Sequence, residues 1–329
     1  MCCSKAAERL DRMDGPVLIS VVIPAYNEEL NIVECLACLQ RQTLPATEFE
    51  VILVDNGSTD RTIALAEDFC SSLSLRIHRL PRGSISAVRN EGASLAAGSV
   101  LAFLDADCMP KPSWLASGLE LMDENAIWGA HYLIPEDSTW VGRIWFKYQA
   151  MQQSGDVSFL PAGCLLITRQ SFTVLGGFDP AVKTSEDVEL CARARAHGMR
   201  VIAYPELAVY HEGTPQRLPR FYRQNRWHGQ HVLRVFIANL PSTRNLPLVA
   251  LTIYTFLMFW LSLITPFLVP RRDLVFSLVP LGLLLLPAML LAVVKTVKAR
   301  SLQDLPGVFV LYLTYFLARA AALLRSFSS

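Results

Sequence analysis

The sequence predicts an α/β domain built on a mostly parallel sheet, followed by an α-helical transmembrane region. Three observations predict this architecture. Short β-branched strand patterns alternate with helical patterns in the N-terminal part of the chain, acidic residues follow several of those strands, and three apolar stretches close the sequence. Alternation of strands and helices is typical of a parallel sheet covered by helices on both faces.

Composition excludes several classes of protein. The 329 residues carry 30 Lys and Arg against 29 Asp and Glu, and the net charge of +1 argues against a nucleic-acid-binding protein. A hydrophobic content of 52% is too high for a disordered chain. The eight cysteines are scattered, so we expect no disulfide framework and a reducing compartment. The isolated pair Cys35 and Cys38 fits a buried helix face better than a redox or metal site.

The predicted elements follow one another in β-α order. Four apolar runs read as strands and three periodic segments read as helices. Ser58, Thr59 and Asp60 are favourable residues for a helix start. The strands are Ile19–Ile23, Val51–Val54, Leu75–Leu80 and Val100–Leu104, and the helices are Glu29–Gln42, Thr62–Phe69 and Ser86–Ala97. Ligands of such sheets bind beyond the carboxyl ends of the strands.

Polar residues follow three of these strands at the expected ligand edge. The first strand runs into Pro24–Glu29, the second into Asp55–Asp60, and the fourth into Asp105-Ala106-Asp107. Each segment taken alone also has the residues of an ordinary turn. Taken together, they concentrate negative charge, which is unfavourable without a cation. Oxygen ligands of this kind suit Mg²⁺ or Mn²⁺, and such an ion can hold the phosphates of a nucleotide.

Four motifs in order resemble the family-2 glycosyltransferases. They are Ile19–Asn27, Val54–Asp60, Arg89-Asn90-x-Gly92 and Phe103–Asp107, within a region of similarity that covers residues 18–212. The resemblance implies a Rossmann-like GT-A catalytic domain that uses a nucleotide-sugar donor and inverts the anomeric centre. The donor base can be uridine or guanosine, and the motifs do not specify the sugar.

The resemblance also assigns roles to individual residues on the donor side. It places Pro24, Tyr26, Glu28 and Asp55 at the nucleoside and Arg89 at the diphosphate. Asp105 is expected near the ribose or the metal, and Asp107 is expected to bind the metal. A histidine from the C-terminal side completes the metal shell in many proteins of this fold, and His211 is the candidate here.

The second half of the domain supplies the expected acceptor side and catalytic base. Gly176-Gly177-Phe178-Asp179 is similar to the acceptor loop of the family, which implicates Gly177, Phe178 and Asp179. Glu186 and Asp187 open a predicted helix, and they resemble the Glu-Asp pair that supplies the base. Inverting transfer needs one carboxylate to take a proton from the acceptor hydroxyl. Acids at a helix N-terminus are also favoured by simple capping, so the upstream motifs decide for Asp187.

Three apolar stretches predict transmembrane helices at Leu246–Pro270, Leu274–Val294 and Leu305–Leu324. Each has about the 20 residues that cross a bilayer core. The distribution of basic residues predicts a cytoplasmic catalytic domain, and an odd number of spans places the C-terminus outside. We therefore expect an integral protein of a bacterial-type inner membrane, with residues 1–17 as an N-terminal tail.

Residues 213–245 carry six Arg and no acidic residue, interspersed with aromatic residues. This composition predicts an amphipathic helical segment at an anionic membrane surface, with a solvated linker as the alternative. Processive members of the family carry Gln-x-x-Arg-Trp after the catalytic pair. Here the run is Arg223-Gln224-Asn225-Arg226-Trp227, so the Gln is displaced by one residue, although Arg226 and Trp227 remain acceptor-site candidates.

These features predict a membrane-anchored hexosyltransferase of class EC 2.4. It would transfer one sugar to a lipid or lipid-linked acceptor in cell-envelope or exopolysaccharide synthesis, in contact with membrane lipids. Two alternatives stay open: a processive polysaccharide synthase, and a catalytically inactive subunit that binds a nucleotide sugar.

Overall fold

The computed structural model describes residues 17–149, 154–182, 185–229, 246–269 and 271–326. Most of the predicted N-terminal tail and residues 230–245 of the predicted interfacial segment lie outside these ranges. The chain divides into two compact units. One comprises the described residues of Met1–Pro135 and Gln152–Gly213, and the other comprises those of Glu136–Met151 and Thr214–Ser329.

The first unit contains a sheet of eight strands in the order β3-β2-β1-β4-β8-β6-β9-β7 within the described residues. All run in one direction except β8 and β7. The mostly parallel sheet is therefore confirmed. Its strands are β1 (Ile19–Ala25), β2 (Phe49–Asp55), β3 (Leu75–Arg79), β4 (Val100–Leu104), β6 (Ala126–Gly129), β7 (Gly155–Asp156), β8 (Cys164–Thr168) and β9 (Arg200–Ala203).

Helices cover both faces of this sheet, and they bury two separate clusters of apolar side chains against it. The helices of this unit are α1 (Ile32–Gln40), α2 (Thr62–Glu67), α3 (Ile85–Ser94), α4 (Trp114–Glu120), α6 (Arg169–Leu175) and α7 (Glu186–Ala196). Asp60 accepts hydrogen bonds from the Thr62 backbone and hydroxyl, which fixes the predicted start of α2. Helix α1 starts later than the apolar spacing predicted, and Leu30 is 90% exposed ahead of it.

Strands β5 (Cys108–Met109) and β10 (Tyr210–His211) form a small antiparallel ribbon beside the main sheet. His211 lies opposite Cys108 in this pairing. Pro205–Leu207 forms a 3₁₀ turn ahead of this ribbon, and the strand begins at Tyr210. The pairing with β5 therefore decides where the strand begins.

The second unit is helical. It contains α5 (Trp140–Gln149), α8 (Leu218–Gly229), α9 (Leu246–Leu268), α10 (Val279–Lys298) and α11 (Leu305–Ser326). Helix α5 belongs to this unit, although the sequence placed it in the catalytic domain. Its apolar side chains Val141, Ile144 and Trp145 pack against α8 and α11. Among the described residues, three stretches are long and apolar enough to cross a membrane: Val249–Leu268, Val275–Lys298 and Leu302–Leu324.

A buried carboxylate, Glu50, ties β1 to β2 near the amino ends of these strands. Glu50 is 5% exposed and accepts hydrogen bonds from the Ser20 hydroxyl at 2.6 Å and the Ala97 backbone at 2.7 Å. It also pairs with Arg76 at 2.7 Å. Burial by itself raises the pKa of Glu50, but the hydrogen bonds and Arg76 outweigh it and leave this pKa below its usual value.

Replacing Glu50 by Ala is expected to destabilise the fold by about 1–3 kcal/mol, because buried donors lose their acceptor. At roughly 2–4 °C per kcal/mol, the apparent Tm falls measurably in a thermal melt. The Glu50 contribution is complete above the unfolded pKa of about 4.3 and disappears as the pH falls through the lower folded pKa. Glu67→Ala is the control, since Glu67 makes only an exposed 3.6 Å pair with Arg79. An equal apparent Tm for Glu50→Ala and Glu67→Ala would contradict this account.

Candidate functional site

The loops after β1 and β2 are joined at the carboxyl edge of the sheet. The Asn27 backbone donates to the Ser58 hydroxyl at 3.0 Å, and the Asn27 side-chain oxygen Oδ1 accepts from the Thr59 backbone at 2.8 Å. Asn27 has a φ of 57°, in the left-handed region that Asn tolerates better than most residues. The two loops that the sequence assigned to donor binding therefore form one connected rim.

Four predicted nucleoside residues lie on this rim. Pro24 and Asp55 are buried at the ends of paired strands, and Asp55 accepts a hydrogen bond from the Ser58 backbone at 3.1 Å. Tyr26 is 39% exposed, and the guanidinium of Arg82 lies 4.8 Å from its ring centre. Arg82 follows β3 and was missed by the sequence analysis, because a single basic residue in a loop carries no local signal.

Glu28 lies within electrostatic range of the two aspartates that follow β4. Burial raises the pKa of Glu28, and the negative charges of Asp107 and Asp105 raise it further. The Asn31 side chain donates to Glu28 at 2.8 Å and partly opposes this shift. The predicted concentration of negative charge is therefore present at this edge.

Arg89 is the central cation of the site. It is 4% exposed, and it donates to Asp105 at 2.7 Å and to Glu186 at 2.5 Å through its two terminal nitrogens. Burial opposes its charge, but Asp105 and Glu186 raise the Arg89 pKa overall, so it is permanently charged. The ring of Phe178 lies 5.6 Å beneath the guanidinium. Arg89 thus joins the β4 edge to the start of α7.

Tyr132 connects three parts of the site, and the sequence analysis did not identify it. Its hydroxyl lies 3.2 Å from an Asp105 oxygen and accepts from the Gly163 backbone at 3.2 Å. Its ring stacks on His211 with centres 4.4 Å apart and planes 12° apart. A Cβ at Gly163 would lie 2.5 Å from the Tyr132 hydroxyl, so the close approach requires glycine. Tyr132 follows β6, 27 residues after Asp105 in the chain, which hid this contact.

Asp187 lies at the start of α7, beside the Gly163 loop. Its carboxylate accepts hydrogen bonds from the Val188 backbone at 2.8 Å and from the Ala162 backbone at 3.4 Å. Burial raises the Asp187 pKa, and the neighbouring charge of Glu186 raises it further. A carboxylate with a raised pKa is better suited to accept a proton than an ordinary aspartate.

Asp107 and His211 form a second polar centre. Asp107 Oδ2 lies 3.5 Å from His211 Nε2, and ligand atoms of Asp107, Cys108 and His211 all lie within 4.8 Å of one another. The buried Cys108 thiol points to Asp107 Oδ1 at 3.9 Å. A Cβ at Gly213 would lie 2.7 Å from the His211 ring, so this turn also depends on glycine. One carboxylate and one imidazole are a donor set that fits Mn²⁺ or Mg²⁺.

The structure distributes the predicted acceptor residues between the two units. The Asn90 side chain bonds both the backbone nitrogen and carbonyl of Phe178, whose ring is fully buried. Arg226 and Trp227 lie on α8, where Trp227 is 54% exposed and the Arg226 guanidinium is 5.9 Å from the Tyr222 ring. An acceptor role for these residues and for Gly177 and Asp179 stays a prediction. Strand β4 ends at Leu104, so Asp105 and Asp107 lie in the loop that follows it.

Two family profiles match the chain. Glycosyl transferase family 2 matches residues 20–176, and Glycosyl transferase family group 2 matches residues 100–295, which is more than half of the chain. Glycosyltransferase AglE of Haloferax volcanii is 40% identical over 112 residues, covering 33% of this chain and 36% of AglE. Probable glycosyltransferase YdaM of Bacillus subtilis is 29% identical over 243 residues, covering 67% of this chain and 57% of YdaM. The matched region is thus well short of the full length of these relatives.

Solved structures share the fold. The mannosyltransferase PcManGT from Pyrobaculum calidifontis, in complex with GDP-Man and Mn²⁺, superposes with a TM-score of 0.60 at 20% identity. That match covers 98% of this chain and 93% of PcManGT. The S. aureus TarS 1–349 complex with UDP-GlcNAc has a TM-score of 0.50 at 19% identity, covering 93% of this chain and 90% of that chain.

Proposed function

Because the chain belongs to Glycosyl transferase family group 2, we propose that it is a nucleotide-sugar-dependent hexosyltransferase of class EC 2.4 that inverts the anomeric centre at a membrane surface. The proposed acceptor is the hydroxyl of a lipid or lipid-linked glycan in cell-envelope or exopolysaccharide synthesis. One observation carries the proposal. Arg89 holds Asp105 and Glu186 together, and Glu186 is followed directly by the partly buried carboxylate Asp187.

The proposed donor site is the rim formed by the loops after β1 and β2. Asp55 and Glu28 offer acceptors to a nucleoside, and the exposed ring of Tyr26 offers a stacking surface. Arg89 and Arg82 supply positive charge for the diphosphate. The GDP-Man and UDP-GlcNAc complexes of the structural neighbours support a uridine or guanosine donor.

Asp107 and His211 are the proposed ligands of a divalent ion, with Asp105 close to it. The Mn²⁺ in the PcManGT complex supports this assignment, and Mg²⁺ fits the same ligands. When bound, such an ion would neutralise charge that develops on the departing diphosphate. Tyr132 stacks on one proposed ligand and bonds the neighbouring aspartate, so it holds the two in place.

Asp187 is the proposed base. It takes the proton of the acceptor hydroxyl while that oxygen forms a bond to the anomeric carbon. The bond between the anomeric carbon and the diphosphate oxygen breaks, and the electron pair leaves with the nucleoside diphosphate. That group is stable as an anion beside Arg89, so the reaction needs no general acid. Glu186 takes no proton in this scheme and holds Arg89 in place.

The membrane attachment motivates the acceptor class. The chain carries three stretches that are long and apolar enough to cross a bilayer, and α8 has a basic and aromatic surface. An enzyme held at a bilayer by such helices meets lipid-linked acceptors at high local concentration. We propose that the catalytic unit is cytoplasmic, where nucleotide sugars are available.

Transfer assays on the purified full chain in detergent test the proposal. We expect a nucleotide sugar to raise the apparent Tm with Mn²⁺ present, and the same donor to label a lipid extract. Short labelled products support single transfer, whereas polymer on a sizing gel would favour a processive synthase. Donor binding without transfer to any acceptor would favour an inactive subunit, and absence of any donor effect would contradict the function as a whole.

Tyr132→Phe is expected to lower turnover roughly tenfold, the rate equivalent of one hydrogen bond, because Asp105 and Gly163 lose the hydroxyl. The ring stack on His211 survives, so the concentration of Mn²⁺ that gives half-maximal thermal stabilisation should not change. Tyr132→Leu removes the stack as well and should raise that concentration. If Tyr132→Phe weakened Mn²⁺ binding as strongly as Tyr132→Leu, the hydroxyl and the ring would not have these separate roles.

A further inference from the structure

The last apolar helix, α11, differs from the other two in its surroundings. From Gly307 to Leu323 it contains no exposed residue, whereas α9 and α10 expose apolar side chains along most of their length. Leu257, Leu263, Leu283, Leu286 and Leu290 are each 40% exposed or more. Lipid-facing helices need such an outward apolar surface, because lipid is the solvent around them. α9 and α10 have this surface and α11 lacks it.

Helices α5 and α8 pack along α11 and cover part of its surface. Ile144 of α5 lies beside Gly307, and the fully buried Phe221 of α8 packs with Leu311. Further along, a Cβ at Gly229 would lie 3.0 Å from Ala322 Cβ. The cover therefore extends from Gly307 to Ala322, which is about 22 Å at the rise of an α-helix. That length is most of a bilayer core of about 30 Å.

The covering helices are too basic to lie in hydrocarbon. Four basic side chains on them are exposed, and they are Arg143 and Lys147 on α5 and Arg220 and Arg223 on α8. If α11 crossed the bilayer, α5 and α8 would have to lie at bilayer depth alongside it. Charged side chains facing lipid at that depth are strongly disfavoured.

Polar anchors hold the start of α11 to α5. Asp304 accepts from Lys147 at 2.6 Å and from the Tyr148 hydroxyl at 2.9 Å, and Lys295 of α10 donates to the Tyr148 carbonyl at 2.8 Å. Near the other end, the Arg319 guanidinium lies 4.7 Å from the Tyr315 ring, one turn back toward the start of the helix. Arg319 thus does not extend toward the far membrane face. Tyrosine residues such as Tyr148 and Tyr315 are, like tryptophan, enriched at the headgroup level of a membrane.

We propose that α11 does not cross the membrane: it lies at the membrane surface between the α9–α10 hairpin and the basic helices α5 and α8. The described part of the chain then has two spans, and the end of α11 lies on the same side as α5 and α8. The distribution of basic residues agrees with two spans rather than three. With three spans Arg271, Arg272, Arg319 and Arg325 belong to the far side, whereas with two spans only Arg271 and Arg272 do.

Protease accessibility of two epitope tags tests this arrangement in a bacterial host. One tag follows Ser329, and the other is inserted between Arg272 and Asp273 in the α9–α10 connection. Each full-length tagged chain is first checked for thermal stabilisation by nucleotide sugar, so that only folded protein is scored. Protease is then added to intact spheroplasts and, separately, to inverted membrane vesicles.

We expect the two tags to be removed from opposite faces, with the Ser329 tag digested only in inverted vesicles and the loop tag only in spheroplasts. Removal of both tags from the same face would show that α11 crosses, and would overturn the two-span arrangement while leaving the proposed function intact. Both the arrangement and the proposed function require that α9 and α10 insert into a bilayer. Recovery of the chain in the soluble fraction would therefore contradict the proposed membrane acceptor as well.

Discussion

Asp187→Asn is expected to lower the rate of sugar transfer by roughly 100- to 10,000-fold, the range attributed to general acid–base catalysis. Asn keeps the size of the side chain, and its single oxygen can still accept the shorter of the two backbone hydrogen bonds, the one that Val188 donates at 2.8 Å. It cannot take a proton from the acceptor. Donor binding, measured as thermal stabilisation by nucleotide sugar with Mn²⁺, should be unchanged.

Glu189→Gln is the matched control for Asp187→Asn. Glu189 lies on the same helix and pairs with Arg193 at 2.5 Å, and it makes no contact with Arg89 among the described residues. We expect transfer by this variant to stay close to that of the wild type. Full activity of Asp187→Asn would remove Asp187 from its proposed role, and an equal loss in both variants would point to damage to α7 instead.

The pH dependence of transfer provides a second measurement on Asp187. Burial and the Glu186 charge raise its pKa, and only the deprotonated form can accept a proton. Activity is therefore expected to fall as the pH drops through this raised pKa, at a higher pH than the usual aspartate value of about 3.9. Glu186→Gln removes the charge that raises the pKa and should move the acid limb of the pH profile to lower pH. An acid limb that did not move would contradict the electrostatic coupling.

His211→Ala is expected to lower transfer on the order of 100- to 1,000-fold, the rate equivalent of the several kcal/mol that a metal ion contributes. The same change should abolish the additional thermal stabilisation that Mn²⁺ gives in the presence of a nucleoside diphosphate. Asp107→Asn should have the same two effects, because it removes the other proposed ligand. The thermal measurement does not depend on turnover, so it separates metal binding from catalysis.

His78→Ala is the control for His211→Ala. His78 pairs with Glu91 at 3.2 Å on β3 and is not among the residues grouped with Asp107. Its loss should leave the response to Mn²⁺ unchanged. A normal Mn²⁺ response in both Asp107→Asn and His211→Ala would show that the ion binds elsewhere, and the chelator EDTA would then reveal whether transfer needs a metal at all.

The position of much of the candidate site was predictable, because three of its aspartates end or follow strands. Asp55 ends β2, and Asp105 and Asp107 come directly after β4, so the sheet brings them to one edge. Glu186 and Asp187 were found by resemblance and lie at the start of α7. For the three aspartates a short local pattern fixes the position, since a strand and the residues that follow it are continuous in the chain.

Tyr132, Arg82 and the Gly163 loop could not be predicted in this way. Tyr132 reaches Asp105 and His211 only because β6 and β4 lie on either side of β8 and because β10 pairs with β5. Such contacts depend on strand order and register, which no local pattern specifies. Glycine at 163 is required by the close approach of the Tyr132 hydroxyl, and the sequence around it carries no sign of that neighbour.

In the helical unit, too, local sequence determined some features and tertiary packing determined others. Hydropathy alone determined that three stretches of the chain are apolar enough for a membrane, because it depends only on the side chains in one segment. Tertiary structure alone decided that α5 joins these helices and that α11 is enclosed by α5 and α8. Whether an apolar helix faces lipid or protein is set by its neighbours, and those neighbours come from distant parts of the chain.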